Sequence, residues 1–217
     1  MTFWAHSDRS GLPSTDPNAK WQPLAEHLAN VSILSSRLAG LSLPSDGHFQ
    51  KLAACCGLLH DFGKYSDCFQ KMILTGKGRC QHAIHGAAVA CFGASVVASG
   101  PKLVHVALAV AGHHAGLPNI QGGESSLQER VKKYKQEAEG LIPRAREDSD
   151  CLREFLKQPF PSFARIEVPR FDLFTRMLFS CLVDADRLDT ASRAISQLPL
   201  GPRESCAGFH CAAGPVG

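Results

Sequence analysis

Two features of the 217 residues predict an all-α fold. Apolar residues recur at three- and four-residue steps along most of the chain, and no segment shows sustained period-two alternation. Apolar residues make up 44% and charged residues 20%, ordinary globular usage that excludes disordered and fibrous chains.

The elements follow in order. From Trp21 to Leu38, the residues Leu24, Leu28, Val31, Leu34 and Leu38 form one stripe, with Pro23 near the first turn and His27 at the stripe's edge. Phe49 to His60 reads as a second helix through Leu52, Ala53, Cys56 and Leu59, with Gly63 placed to end it. Asp67 to Leu74 reads as a short third helix. His82 to Ala98 is rich in Ala and Gly, which let helices approach closely. Pro101 opens a helix over Leu103 to Ala111 that ends at Gly112-His113-His114, and Leu117 to Gly123 is a loop. Glu124 to Gly140 is a charged helix and Cys151 to Lys157 a shorter one. A long helix from Phe171 to Leu198 carries Leu178, Leu182, Ala185 and Asp189 on one face, and from Pro199 onward Gly and Pro replace the pattern.

Bulk charge says nothing about the substrate. Twenty-three Lys and Arg against 20 Asp and Glu leave only +3, with no basic arm in either half. The longest apolar candidate, Ala83 to Ala98, contains His85 and is too short to span a bilayer, and Met1 to Ser10 is too polar for a secretory signal. Nine cysteines without a C-x-x-C pair, two of them (Cys55 and Cys56) inside an apolar run, are expected to be reduced core thiols of a cytoplasmic protein. Cys206 and Cys211 lie in the Gly/Pro-rich end, which reads as a flexible tail. Thr75-Gly76-Lys77-Gly78 fails the phosphate-loop pattern, since position 71 is Lys and no Ser or Thr follows Lys77.

The chemistry lies in the ten histidines. His27, His60, His85, His113 and His114 sit on or at the ends of predicted helices; His6, His48, His82, His105 and His210 lack that pattern or a partner carboxylate. Imidazole nitrogens and carboxylate oxygens hold first-row divalent metals, and a helical bundle can aim them inward from several helices. His60 and Asp61 project about 100° apart at a helix end, so one can face one ion while the two-oxygen Asp reaches another.

Leu59-His60-Asp61-Phe62-Gly63-Lys64, preceded by His27 and followed by Asp186 in Leu182-Val183-Asp184-Ala185-Asp186-Arg187-Leu188, resembles the HD phosphohydrolase superfamily. Trp4-Ala5-His6-Ser7, Gln81-His82-Ala83-Ile84-His85-Gly86 and Gly112-His113-His114-Ala115-Gly116-Leu117-Pro118 are similar to the CRISPR-associated HD nucleases, which usually form the N-terminal part of a larger type I nuclease–helicase. The likeness runs from Trp4 to about Thr190. It implies a nuclease domain over residues 1–198, with 199–217 expected to be a flexible tail or a linker towards a helicase part.

By position, the resemblance implies two divalent transition-metal ions. One would be held by His27, His60, Asp61 and Asp186, the other by Asp61, His85, His113 and His114. Asp184 competes with Asp186, and His82 with His85; Asp186 and His85 fit the family's pattern better. Such ligation suits manganese, iron, cobalt or nickel better than magnesium. Asp61 and Lys64 are the expected catalytic residues, Lys64 as a contact to a phosphate or leaving oxygen. The implied reaction is hydrolysis of single-stranded DNA by a monomer working with a CRISPR helicase and the RNA-guided surveillance complex. Lys64, Lys71, Lys77 and Arg79 interleave with Phe62, Tyr65 and Phe69, a composition that suits single strands or solvated lysines over core aromatics equally. A one-metal nucleotide phosphohydrolase would leave His113-His114 unexplained, a cyclic-dinucleotide phosphodiesterase lacks its Gly-Tyr-Pro signature here, and a degenerate adaptor would have lost ligands.

Overall fold

A computed structural model describes residues 2–8, 10–92, 103–157 and 168–194. Eight helices carry the described chain: α1 (Leu24–Ser42), α2 (Gly47–Leu59), α3 (Asp67–Thr75), α4 (Ala83–Phe92), α5 (Val104–Gly112), α6 (Leu127–Asp148), α7 (Asp150–Lys157) and α8 (Val168–Ala194). The fold is all-α, as the periodicity predicts. Among the described residues, strand is confined to an antiparallel pair, β1 (Trp4–His6) and β2 (Gln22–Pro23). That pair corrects the start of the first helix. Pro23 has an extended ψ of 138° and stands just before α1, while the Leu24 N–H donates to Phe3 O at 2.8 Å.

α1 packs along α2 and α8, and α4 packs between α5 and α6. Leu24, Leu28 and Val31 of α1 are buried with Leu52, Cys56 and Leu59 of α2 and Leu178, Leu182 and Ala185 of α8. The α1 and α8 stripes therefore meet across α2, which brings His27 and Asp186 to the end of α2 where His60 lies. Gly86 makes the α2–α4 crossing possible: a Cβ there would lie 1.7 Å from Leu59 O.

Several expected boundaries shift. Gly63 does not end α2 in a left-handed turn; it sits in a 3-10 turn over Phe62–Tyr65. A Cβ on Gly63 would lie 2.3 Å from His82 O, so the residue is needed for close approach of the segment before α4. α6 runs through Gly140 and Pro143 to Asp148, because Leu141, Ile142 and Ala145 continue its buried stripe. The expected helix residues 93–98 and 195–198, the opening Pro101 and the tail 199–217 lie outside the described residues.

The cysteine reading is corrected in part. Cys68 of α3 and Cys80 are disulfide-bonded, with Cα atoms 6.1 Å apart. A 12-residue separation hides this pair from a search for short motifs, whereas α3 and its return loop bring the two together. Cys55 and Cys56 are buried thiols as expected, and burial pushes Cys55 up to about 12.

Candidate metal centre

The candidate ligands enter from five places in the fold. His27 comes from the second turn of α1, and His60 stands at the C-terminal cap of α2, followed at once by Asp61. His82 precedes α4, His113 caps α5 with His114 beside it, and Asp186 projects from α8. His27, His60 and Asp61 are buried. The side chains of Asp186 and His82 are 22% and 18% exposed, and His114 is exposed, so the centre opens on that side.

Asp61 stands between two groups. Its Oδ2 lies 3.2 Å from His27 Nε2 and 3.3 Å from His60 Nε2. Its Oδ1 lies 3.4 Å from His82 Nε2 and 3.6 Å from His113 Nε2. Asp186 Oδ1 completes the first side, 3.4 Å from His27 Nε2 and 3.7 Å from His60 Nε2. On the second side His82 Nε2 and His114 Nε2 are 2.8 Å apart. Three groups of mutually close ligand atoms result: His27 with His60 and Asp61, His27 with His6 and Asp186, and Asp61 with His82, His113 and His114.

The hydrogen bonds around the rings test whether a cation fits. His27 Nδ1 donates to Asp189 Oδ2 at 2.7 Å, His60 Nδ1 to Gly57 O at 2.8 Å and His113 Nδ1 to Val110 O at 2.7 Å. Carbonyl and carboxylate oxygens only accept, so these Nδ1 atoms hold protons and each ring turns its other nitrogen, Nε2, inward. His27 Nε2 and His60 Nε2 then face each other at 3.1 Å beside two carboxylates. Asp61 Oδ1 and His113 Nε2 are buried without a hydrogen-bond partner. Imidazole nitrogens and carboxylate oxygens converging this closely need positive charge between them, and a divalent cation is what such a donor set accommodates.

Electrostatics agree. Burial opposes protonation of His60, but the Asp61 and Asp186 carboxylates outweigh it and push the ring up to about 10. Burial likewise works against ionised Asp61, yet the Lys64 ammonium and His60 hold it well below the usual carboxylate range. Positive charge is drawn to the space between these groups.

Two site residues depart from expectation. His85 is not beside Asp61: its Nε2 lies 3.1 Å from Glu137 Oε1 of α6, its ring meets Tyr134 edge-on at 5.2 Å, and its Nδ1 donates to His82 O at 3.3 Å. His85 lies inside α4 on the side packed against α6, whereas His82 precedes the helix and turns toward Asp61. His82 takes the place that the sequence pattern gave to His85. Lys64 also points inward, since it is buried with Nζ 2.6 Å from Asp61 Oδ2 and 3.1 Å from Ala5 O. It holds Asp61 rather than facing the opening. Asp184 is exposed, so Asp186 is the late carboxylate that reaches the cluster.

Sequence reasoning missed three supports. Asp189 accepts from His27, and His6 packs edge-on against His27 with ring centroids 4.8 Å apart. Gln70 Nε2 donates to Trp4 O and Lys64 O, tying β1 to the turn that carries Lys64. Asp189 had a signal, being a carboxylate on the apolar face of the last helix. The aromatics Phe62, Tyr65 and Phe69 are core residues, while Lys71, Lys77 and Arg79 are exposed.

A family model described as Cas3, HD domain, matches residues 4–192. No curated protein matches the chain. Among solved structures, T. fusca Cas3 shares the fold with a TM-score of 0.56 at 17% identity, over 92% of this chain and 24% of that one. A chain of a CRISPR RNA-guided surveillance complex, pre-nicking, matches with a TM-score of 0.53 at 16% identity, over 92% and 26%. The chain thus spans about a quarter of the length of these solved chains. With the family model spanning residues 4–192, the chain belongs to the Cas3 HD domain family.

Proposed function

We propose that this chain hydrolyses phosphodiester bonds of single-stranded DNA with two divalent transition-metal ions, as a monomeric cytoplasmic nuclease of type I CRISPR defence. The single observation that carries the reading is the position of Asp61, whose two oxygens face two separate sets of imidazoles. One ion would be held by His27, His60, Asp61 and Asp186, the other by Asp61, His82, His113 and His114. Ions there supply an activated water and offset the charge that grows on the phosphate.

The chain's own residues prepare that chemistry. Asp189, Gly57 O and Val110 O fix the proton on the outer nitrogen of three rings. Lys64 keeps Asp61 ionised and oriented. The exposed edge at His114, His82 and Asp186 admits a phosphate, while Asp61 lies deeper, with a side chain only 3% exposed. A duplex about 20 Å wide reaches such a depth poorly, whereas a single strand can thread it. A helicase and an RNA-guided surveillance complex are the partners that would expose the strand. Among the described residues no helix is long and apolar enough to cross a membrane.

The test pairs metal analysis with cleavage of circular single-stranded, duplex and R-loop DNA in manganese at matched salt. Two ions per chain, cleavage of the single-stranded circle and its loss in folded Asp61→Ala support the reading. Equal rates on blunt duplex overturn the strand preference. One ion per chain with turnover of free nucleotides and no polynucleotide cleavage identifies a one-metal phosphohydrolase instead.

A further inference from the structure

We propose that Asp189 is the positioning residue that sets the ring state of His27 and thereby controls filling of the first metal group, an inference that rests on the metal-centre reading above. Asp189 lies three residues after Asp186, so both project from the same side of α8. It is fully buried. Its Oδ2 accepts from His27 Nδ1 at 2.7 Å and from Gln22 Nε2 at 2.7 Å, and its Oδ1 accepts from Asn30 Nδ2 at 2.9 Å. Both oxygens are therefore filled by donors from β2 and α1, and Asp189 is a partner of a ligand rather than a ligand.

The consequence follows from valence. A carboxylate cannot donate, so the imidazole proton stays on His27 Nδ1 and the lone pair of Nε2 faces Asp61 and Asp186. The charge on Asp189 also makes the ring a stronger electron donor, the arrangement by which outer carboxylates tune metal-bound histidines. Without Asp189, nothing else among the described hydrogen bonds holds a proton at Nδ1. The ring then carries its proton at Nε2, pointing into the space where a cation belongs. Gln22 and Asn30 hold the carboxylate in place, which explains why two amides from different elements converge on it.

The experiment compares the parent with Asp189→Ala and Asp189→Asn. In the metal-free proteins, side-chain 15N shifts of His27 report which nitrogen is protonated; manganese titration then measures each ion's affinity. The parent is expected to show Nδ1–H. Asp189→Ala is expected to show Nε2–H and to bind the first ion about 10- to 100-fold more weakly, with the second ion retained. Asp189→Asn can turn its oxygen to His27, so it keeps Nδ1–H, loses the charge, and falls between the other two in affinity. It also serves if the alanine variant fails to fold. A merely structural residue would lower the melting temperature without moving the proton. Unchanged tautomer and first-ion affinity in Asp189→Ala, or equal loss of both ions, would overturn the proposal. If the parent takes up no manganese, the metal reading falls, and the tautomer alone decides the role of Asp189.

Discussion

Gly86→Ala tests the chain of reasoning from packing to chemistry. The added Cβ would lie 1.7 Å from Leu59 O and 2.7 Å from Leu59 C, about 1.3 Å inside the 3.0 Å that real Cβ atoms keep, and 3.2 Å from Val110 Cγ1. The main obstacle is backbone, so a side-chain rotation cannot relieve it and α4 must move away from the end of α2. Overpacking of this kind costs about 3 kcal/mol, and the better helix propensity of alanine returns about 1. A net loss of about 2 kcal/mol lowers the melting temperature by roughly 4–8 °C for a chain of this size. The displaced residue Leu59 precedes His60 and Asp61, and α4 follows His82, so the 3.4 Å approach of His82 Nε2 to Asp61 Oδ1 opens as well. Manganese titration should therefore show a weakened second ion beside a nearly normal first one. Gly140→Ala is the control: it lies in the interior of α6 with open space around the new methyl, and should stabilise by up to about 1 kcal/mol. Calorimetry of both variants decides the matter. A Gly86→Ala protein as stable as the parent, with both ion affinities unchanged, would refute the packing argument.

Further outcomes can be checked on the same protein. His82→Ala and His113→Ala should each lower the metal-to-protein ratio toward one, while His85→Ala leaves it near two; loss of an ion in His85→Ala alone would restore the original sequence assignment. Lys64→Met should cost about 3 kcal/mol in urea unfolding with chelator present, because it strands the buried Asp61 carboxylate, and an unchanged midpoint would show that Asp61 does not depend on it. Without metal, stability should rise with pH up to about 6.5, since burial depresses His6 to about 3 and His82 to about 4 and the unfolded chain binds more protons there. Above 6.5 His60 works in the opposite sense: held up at about 10, it keeps a proton the unfolded chain has released, so its contribution fades toward pH 10. Denaturant midpoints across pH 4–10 in chelator should trace this maximum, and a monotonic rise would contradict the charge pattern of the centre.

The all-α class, the order of the helices and most members of the histidine–aspartate cluster were legible because they depend on local patterns. Helical spacing reveals α1 and α8, and His60-Asp61 announces itself by adjacency. What stayed hidden depends on which way a side chain turns. His82 and His85 are three residues apart, and only the start of α4 between them decides which one meets Asp61 and which meets Glu137. Lys64 had the right position for a phosphate contact, but a neighbouring backbone oxygen and the Asp61 carboxylate draw it inward. The Cys68–Cys80 bridge and the pairing of β1 with β2 likewise come from chain reversals that no short motif encodes.

The joining of α1 to α8 through His27 and Asp189, 162 positions apart in sequence, also sets a timetable for the molecule. During synthesis the α1–α2 hairpin can pair early, since its loop is short and closes at little entropic cost. His27 and His60 then meet while the last helix has still to emerge from the ribosome. Asp186 and Asp189 come near the end of the matched region, so the first group cannot close until nearly all of that region has been made. A nascent chain thus holds half a centre, with two imidazoles but neither α8 carboxylate, and its hold on a metal should be correspondingly weak. Completion of the centre and completion of the fold are one late, long-range event.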